Sequence, residues 1–325
     1  MLGLSTNINR VESPFGPDSF DSGTEIKLIG WWDFTDANSL FTGDVTGSPM
    51  SSLDNLATPS NNDPIVKVNN KSYDFSNRAM GVFVYAPSDN ARPTFKTDGV
   101  NGLSYVHLDP SSNMQGFMAS SDAVLNGSQS NDFLSGAELD VQDFSIVVVA
   151  SSDIENISDT NQTLLNIVGG EENAEETKRE ITLQKSYSSD RPRFSVDYEG
   201  ESGEALTAEA SLGAELGTTL QIITAVTGTG TNNTKLYMNL TQTGDGTFAN
   251  DAIIEFIPTG HPQNEQAGIG IGMSIQHDNS APGIEFGPGG GFDGKIYEVL
   301  LYREALRIQE RKDLTRYLMS KYSIT

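Results

Sequence analysis

The spacing of apolar residues changes abruptly near the C-terminus of this chain of 325 residues. From Lys295 to Tyr302, apolar side chains follow one another with few interruptions, as in a buried strand. From Glu304 to Lys321 they recur at helical spacing and form one apolar stripe, made of Leu306, Leu314, Tyr317 and Leu318. The chain is therefore predicted to close with one buried strand followed by one short amphipathic helix.

The rest of the chain is predicted to consist of short strands separated by turns. The 32 glycines and 13 prolines suit many tight turns, and β-branched and aromatic residues cluster between them. Such a pattern favours an all-β sandwich of two sheets, and a single sandwich of this length is common. The predicted strands are Ile26–Phe34, Phe144–Ala150, Thr163–Val168, Glu180–Lys185, Arg193–Tyr198, Leu220–Val226, Lys235–Leu240, Ala252–Ile257 and Ile269–Ile275.

Residues 1–24 are predicted to form an extended N-terminal arm, and residues 25–325 the sandwich with its terminal helix. Closely spaced prolines and glycines in the arm oppose both a helix and a central strand. The arm is nevertheless too apolar for a simple solvated tail. It either packs on its own domain or docks on a neighbouring subunit, and the second alternative predicts Leu4, Phe15 and Phe20 as the anchoring contacts.

The strong negative charge of the chain disfavours anionic binding partners. The chain carries 44 acidic and 20 basic residues, a net charge of −24, and residues 97–177 contain fourteen acids with no lysine or arginine. Such a surface repels phosphate backbones and anionic lipid, so nucleic acid is not an expected partner. There is no apolar run long enough to span a membrane, and there is no cysteine for a disulfide or a thiolate metal site.

The positions of the acidic residues and histidines predict a protein that is not an enzyme. A retaining glycoside hydrolase needs two carboxylates about 5 Å apart on one face of a strand. The predicted strands carry single acids, Glu255 and Glu298, and the cluster Glu199, Glu201 and Glu204 falls in a glycine-containing turn. The three histidines lack the spacing of a zinc site.

Sugar binding needs an exposed aromatic ring, and hard cations need oxygen ligands. Trp31 and Trp32 are adjacent, so on a strand one ring enters the core and the other packs on the terminal helix or offers a platform. Trp32 is the candidate platform. The candidate calcium ligands are acids in predicted loops, Asp44, Asp54, Asp63, Asp245 and Asp251.

Several motifs resemble one family. Trp32-Asp33 is followed by Thr35-Asp36-Ala37-Asn38-Ser39-Leu40, and later come Arg92-Pro93, the Asn101-Gly102-Leu103 strand entry and the Tyr237-Met238-Asn239 hairpin. With the terminal strand and helix, this resembles the concanavalin A-like lectin/glucanase (LamG-like) domain of tailed-bacteriophage structural proteins. The resemblance covers residues 26–322 and implies a jelly-roll sandwich. The stretch 61–90 is longer than in a minimal member and suggests an extra hairpin or loop.

The resemblance implies a structural protein of a tailed-phage virion: a decoration, capsid-fibre or tail-associated protein. Its expected location is the virion, its partners are other virion proteins, and it is expected to be a homo-oligomer. The lectin-like domain would adhere weakly to host glycans, with Ca²⁺ as a candidate cofactor. The first residues show no secretory signal, which favours release by lysis over export. The alternative is a glycan-binding or glucanase-like carbohydrate-active protein that is secreted or held at a cell surface.

Overall fold

The structure is a computed structural model, and it describes residues 15–21, 27–46, 52–72, 83–109, 115–120, 124–125, 129–130, 139–140, 144–153, 161–169, 179–186, 192–199, 205–211, 215–227, 234–246, 255–256, 268–277, 284–286 and 290–325. Within these ranges most regular structure is β-strand, and a single α-helix, α1, covers Ile308–Tyr322. No helix among them is long and apolar enough to cross a membrane.

Twenty-five strands follow one another along the described chain. They are β1 (Leu28–Asp33), β2 (Leu40–Thr46), β3 (Ser52–Ala57), β4 (Ile65–Asn69), β5 (Phe83–Tyr85), β6 (Thr94–Lys96), β7 (Tyr105–Leu108), β8 (Phe117–Ser120), β9 (Val124–Leu125), β10 (Gln129–Ser130), β11 (Leu139–Asp140), β12 (Phe144–Ser152), β13 (Gln162–Gly169), β14 (Arg179–Lys185), β15 (Pro192–Glu199), β16 (Ala205–Ser211), β17 (Gln221–Thr227), β18 (Thr234–Met238), β19 (Thr241–Gly246), β20 (Glu255–Phe256), β21 (Gly268–Ile271), β22 (Ile275–His277), β23 (Ile284–Phe286), β24 (Gly290–Gly291) and β25 (Gly294–Tyr302). Short 3₁₀ turns cover Pro17–Phe20, Ala37–Ser39, Asp89–Ala91 and Val100–Gly102.

Two large sheets contain most of these strands. The helix-side sheet has eight strands in the order β19-β18-β17-β12-β25-β7-β6, with β1 also paired to β25. The outer sheet has eleven strands in the order β16-β15-β14-β13-β21-β8-β5-β4-β2-β3, with β24 paired to β13. Neighbouring strands are antiparallel, apart from the parallel contact of β24 with β13. This architecture, with the C-terminal helix, confirms the predicted all-β sandwich.

The molecule has three layers: the outer sheet, the helix-side sheet and α1. The inter-sheet core lies between the two sheets and contains, among others, Trp32, Phe34, Phe117, Phe144 and Phe292. The second apolar layer, named the helix-side cluster, joins α1 to the other face of the helix-side sheet, through Leu28, Val147, Val149, Ile222, Leu300, Tyr302, Leu306, Leu314, Leu318 and Tyr322. Each large apolar side chain buried in these layers contributes roughly 1.5–3 kcal/mol to folding.

The two apolar layers explain why β12 and β25 have almost continuous apolar sequences. Along β12, Ile146 and Val148 enter the inter-sheet core, whereas Val147 and Val149 enter the helix-side cluster. A strand with both faces buried does not alternate between polar and apolar residues. The run from Lys295 to Tyr302 therefore predicted a central strand correctly, although periodicity alone did not show that the helix covers it.

The terminal helix begins four residues later than the predicted Glu304. The hydroxyl of Ser145 accepts a hydrogen bond from the backbone N–H of Leu306 (2.8 Å) and donates one to the carbonyl of Glu304 (3.1 Å). These bonds hold residues 304–306 against β12 in a non-helical conformation. The helix begins after Arg307, whose backbone N–H donates a hydrogen bond to Glu310 (2.8 Å). A contact with a distant strand thus sets the boundary.

Other predicted elements agree in place and differ in length or continuity. Ile269–Ile275 was predicted as one strand but is two, β21 and β22. They separate at Gly272, whose φ of +75° interrupts the extended backbone. The stretch 61–90 supplies β4 and β5, which pair with each other inside the outer sheet. Of Ala252–Ile257, the structure describes only β20.

The described part of the arm, residues 15–21, packs on its own domain. Phe20 lies against Tyr302, with ring centroids 6.1 Å apart, and the Tyr302 hydroxyl donates a hydrogen bond to the carbonyl of Pro17 (3.0 Å). The Asp21 carboxylate accepts hydrogen bonds from the backbone N–H groups of Lys27 (2.7 Å) and Leu28 (3.1 Å) at the start of β1. Of the two alternatives for the arm, intramolecular packing is the one seen for these residues.

Candidate functional site

Two carboxylates meet beneath the terminal helix. Asp33 on β1 and Glu298 on β25 are directly opposite each other in the register of the two strands. A bulge at Tyr297 places both Tyr297 and Glu298 on the helix side of β25, since Val149 pairs with Glu298 and Ala150 with Ile296. The bulge therefore turns an acidic side chain into the layer between sheet and helix.

Glu298 is fully buried, and both of its carboxylate oxygens have partners. The indole N–H of Trp31 donates to Oε1 (2.7 Å), and the Tyr322 hydroxyl donates to Oε2 (2.7 Å). The ammonium group of Lys321 also contacts Oε2 at 2.9 Å. Lys321 and Tyr322 belong to the last turn of α1, so these bonds attach the end of the helix to the centre of the sheet.

Asp33 is held by a different set of groups. Its carboxylate accepts hydrogen bonds from the hydroxyl (2.6 Å) and the backbone N–H (3.0 Å) of Thr35. Lys71 lies 3.1 Å from Oδ2, and Lys321 lies 3.4 Å from the same atom. Two carboxylates and two ammonium groups thus form one compact cluster, named the carboxylate–lysine cluster, of Asp33, Lys71, Glu298 and Lys321.

The two carboxylates respond differently to this environment. Burial, together with the charge of Asp33, raises the pKa of Glu298, although Lys321 and Tyr322 oppose the shift. Burial also acts to raise the pKa of Asp33, but the charges of Lys321 and Lys71 outweigh it and the pKa is lowered. The pKa of Lys321 is raised, since Glu298 and Asp33 outweigh the opposing effect of burial.

The cluster has the chemistry of a structural link. A hydrolytic pair needs one carboxylate that can attack and one that can donate a proton to a substrate between them. Here every oxygen of Glu298 is occupied by an internal partner, and α1 covers the pair. Lys71 also lies over the Trp31 ring, 4.5 Å from its centroid, and shields that face of the indole.

Two motifs of the predicted family support this link. Asp36 accepts a hydrogen bond from the backbone N–H of Asn38 (3.1 Å) and lies 3.1 Å from the ammonium of Lys71. Asn101 has φ +57°, and its side-chain amide donates to the carbonyl of Lys321 at the end of α1 (3.0 Å). Both motifs therefore serve the fold, one at β1 and one at the helix terminus.

Trp32, the candidate sugar platform, is fully buried in the inter-sheet core. The structure corrects this prediction: Trp32 points between the sheets, and Trp31 is the partly exposed indole on the helix side. Adjacent strand residues must face opposite ways, but the sequence did not say which one faces inward. Phe34 settles it, because it lies two residues after Trp32 and shares the inter-sheet core with it.

The predicted calcium ligands are only partly brought together. Asp44 and Asp54 are opposite each other on β2 and β3, and Asp44 accepts a hydrogen bond from the Asn55 amide (2.8 Å). Asp63 accepts one from the backbone N–H of Ser60 (2.7 Å), as in a turn. Asp245 lies on β19 of the other sheet, and Asp251 lies outside the described residues. Among the described residues, no group of three or more acids and histidines is arranged to hold a metal ion.

Of the predicted anchoring residues, the structure brings Phe15 and Phe20 into contact. Phe20 is half-buried against Tyr302, whereas Phe15 is 38% exposed and packs edge-on to Phe20 with ring centroids 5.5 Å apart. Phe15 also lies 5.8 Å from the Tyr317 ring on α1. Leu4 lies outside the described residues. Phe15 therefore remains a candidate contact for a partner.

A second group of charges lies where β7, β12 and β25 run side by side. Nε2 of His107 is 2.7 Å from a carboxylate oxygen of Asp153, and Lys295 is 3.6 Å from the other oxygen. Burial and the charges of Asp109 and Asp153 raise the pKa of the nearby Asp293. With His107 in hydrogen-bond contact and Lys295 within ion-pair distance of Asp153, this group is a polar network whose side chains are partly exposed.

Sequence reasoning missed the carboxylate–lysine cluster because it searched one strand at a time. Asp33 and Glu298 are 265 positions apart, and only strand pairing places them together. The sequence feature that indicates the cluster is a single acid in a mostly apolar strand. A carboxylate buried in such a strand requires a partner. Lys321 and Tyr322, at the end of the predicted amphipathic helix, have the side-chain donors that such a carboxylate requires.

No protein-family model matches this sequence, and no curated protein matches it. Solved structures with some likeness do exist. CBM40 of the Ruminococcus gnavus IT-sialidase is 16% identical, with a TM-score of 0.37, over 54% of this chain and 83% of its own. Domain 4 of AbnA, a GH43 extracellular arabinanase from Geobacillus stearothermophilus, was solved in complex with arabinotriose. It is 14% identical, with a TM-score of 0.38, over 89% of this chain and 98% of its own.

Trypanosoma rangeli sialidase is 12% identical, with a TM-score of 0.37, over 95% of this chain and 36% of its own. The TM-scores are below 0.5 and the identities are 16% or less, so the similarity of these structures to this chain is low. Neither a ligand nor an activity follows for this chain from such likenesses. The phage-type resemblance stays a prediction.

Proposed function

We propose that this chain is a non-enzymatic structural protein of a tailed-phage virion, which is held in the particle through its N-terminal arm and presents its sandwich outward. The observation that carries the proposal is the position of Phe15. This large aromatic side chain is 38% exposed on a patch with Phe20 and Tyr317, and the residues that precede it in the arm include Leu2, Leu4, Ile8 and Val11. A partly exposed aromatic ring on a rigid support is suited to contact a partner.

The carboxylate–lysine cluster supports the non-enzymatic part of the proposal. Asp33 and Glu298 are the acids that strand pairing brings together in the interior, and their charges are used within the fold. Attaching the helix to the sheet gives both residues a structural role, which supports the proposal of a chain without enzymatic activity. An assay of reducing-end release from β-glucans should therefore show no difference between the wild-type protein and Glu298→Gln.

The arm can be tested in assembled particles. We expect cryo-electron microscopy of purified particles to show the sandwich on the outside and Phe15 in contact with a capsid or tail subunit. Phe15→Asp should lower incorporation of the chain into particles by about tenfold or more, the effect of losing one apolar anchor worth at least 1.4 kcal/mol. Leu56→Asp is the matched control, since Leu56 is 41% exposed on β3, away from the arm.

Two results would oppose the proposal. If mass spectrometry of purified particles finds no copy of the chain, the virion assignment is wrong. If Phe15→Asp and Leu56→Asp enter particles equally well, the chain is not anchored through the arm.

Weak adhesion to a host glycan is the second part of the proposal. Sandwich proteins commonly bind ligands through the loops at the ends of their sheets. A glycan array with and without Ca²⁺ tests both the ligand and the predicted cofactor. Binding that disappears when calcium is chelated would support Asp44 and Asp54 as candidate ligands, whereas no binding under either condition would leave a structural role alone.

A further inference from the structure

Arg311 is a buried cation in the first turn of the terminal helix. Only 5% of its surface is exposed, and its guanidinium carbon lies 3.7 Å from the centroid of the Tyr237 ring on β18. This cation–π contact is favourable by itself. Tyr237 also forms a side-chain hydrogen bond with Arg311, which leaves the other N–H groups of the guanidinium group for further acceptors.

Among the described residues, no carboxylate lies within ion-pair distance of Arg311, and its Nη1 has no hydrogen-bond acceptor. Burial lowers the pKa of Arg311, and the nearby Tyr237 opposes the shift only in part. A guanidinium group remains protonated in any protein environment, so Arg311 carries a positive charge that no carboxylate in the described part of the chain pairs with. A buried charge of this kind is costly to the fold unless another group pairs with it.

A second unpaired polar group lies on the same face. Thr224 on β17 is directly opposite Tyr237 on β18. Ile222 enters the helix-side cluster and Ile223 the inter-sheet core, so alternation along the strand turns Thr224 toward the helix. The Thr224 hydroxyl is buried and has no hydrogen-bond partner, whereas the Thr315 hydroxyl on α1 already donates to the carbonyl of Arg311 (2.8 Å).

From this geometry we propose that a small monovalent anion, of the chloride class, binds between α1 and the helix-side sheet at Arg311 and Thr224. Nη1 of Arg311 and Oγ1 of Thr224 are the donors, and the Tyr237 ring supports the guanidinium group. Thr224 is directly opposite Tyr237, whose ring contacts the Arg311 guanidinium group, so both donors lie beside the same side chain, and we place one small acceptor there. A chain with a net charge of −24 repels multiply charged anions more strongly than monovalent ones, which favours a single charge.

The bound anion would attach the first turn of the helix to β17 and β18. The last turn of the helix is attached to β1 and β25 by the carboxylate–lysine cluster, so the two sites attach the helix to different strands of the same sheet. An anion that binds the folded state alone stabilises it in proportion to its occupancy. Chloride should therefore raise the melting temperature of this protein beyond the general effect of ionic strength.

The test separates anion binding from charge screening. Melting temperatures are measured for the full chain at constant sodium concentration while gluconate is replaced stepwise by chloride. We expect a saturable rise in the wild-type protein, and broadening of the ³⁵Cl NMR line on addition of the protein. Arg311→Met, which keeps an apolar stem, and Thr224→Val, which keeps the shape, should each lose the chloride-dependent rise.

Arg316→Met is the matched control, because Arg316 lies on the same helix with its side chain 57% exposed. It should keep the full chloride-dependent rise and line broadening. Equal melting temperatures in chloride and gluconate for the wild-type protein would overturn the proposal and indicate an ordered water at the site. The same conclusion would follow if Thr224→Val, the milder substitution, kept the rise unchanged.

Discussion

Asp33 and Glu298 lie directly opposite each other on two paired strands, and the ammonium of Lys321 contacts both carboxylates, at 3.4 Å and 2.9 Å. Each of these acids stands in an otherwise apolar strand. Lys321 reaches them from the last turn of α1, so one residue of the helix compensates two charges of the sheet. The carboxylate–lysine cluster is therefore the part of the fold where removal of a single charge should have the largest effect.

Lys321→Met should lower the free energy of unfolding by about 3 kcal/mol. The substitution leaves Glu298 fully buried without a cation and Asp33 with Lys71 alone, and breaking a buried ion pair on one side typically costs about 3–5 kcal/mol. Urea denaturation followed by circular dichroism measures the change. Arg316→Met on the exposed face of the helix should change the free energy of unfolding by less than about 0.5 kcal/mol. Similar losses for both variants would show that the cluster is not a stabilising link.

Glu298→Gln should become more stable relative to the wild-type protein as the pH rises from 4.5 toward neutrality. Burial and the charge of Asp33 raise the pKa of Glu298 above its ordinary value of 4.5, so in this range the folded state binds the proton more strongly than the unfolded state does. The wild-type protein therefore loses stability as Glu298 ionises, and a glutamine cannot ionise. Denaturation curves at several pH values give the difference. A difference that is constant with pH would contradict the raised pKa.

Gly272→Ala should destabilise the protein by roughly 3 kcal/mol or more. Gly272 has φ +75°, and a Cβ atom there would lie 2.2 Å from Cδ2 of Leu108 in the inter-sheet core. Gly217→Ala is the matched control, because a Cβ atom at Gly217 meets no other atom within 4 Å. Thermal unfolding should show a large decrease in melting temperature for the first variant and almost none for the second. Equal changes would mean that the core around Leu108 adapts to the added methyl group.

Phe20→Ala should lower the free energy of unfolding by about 2 kcal/mol, and Phe15→Ala by clearly less. Phe20 is half-buried against Tyr302, whereas Phe15 is 38% exposed, so truncation of Phe20 removes more buried apolar area. Chemical denaturation of both variants measures the two losses. If Phe20→Ala has no effect, residues 15–21 do not contribute to the stability of the domain, and the arm should be regarded as a separate anchoring segment.

The strands and the helix that were predicted correctly were indicated by the spacing of apolar residues close together in the chain. The change from strand to helical spacing after Tyr302 predicted the last strand and the helix, and runs such as Phe144–Ala150 predicted central strands. Boundaries were less accurate where a distant residue sets them, as Ser145 does for the start of α1. The interpretation of Trp32 failed for the same reason, because alternation says that two neighbours diverge but not which one faces the core.

By itself, the sequence determined the class of fold, the acidic surface and the absence of thiol chemistry, because these depend on composition and on the spacing of residues close in the chain. The tertiary structure alone decided the pairing of Asp33 with Glu298, their compensation by Lys71 and Lys321, and the covering of Arg311 by the sheet. These features join residues from opposite ends of the chain. Strand register, a single bulge at Tyr297 and the docking of one helix place them together, and none of these has a local signature.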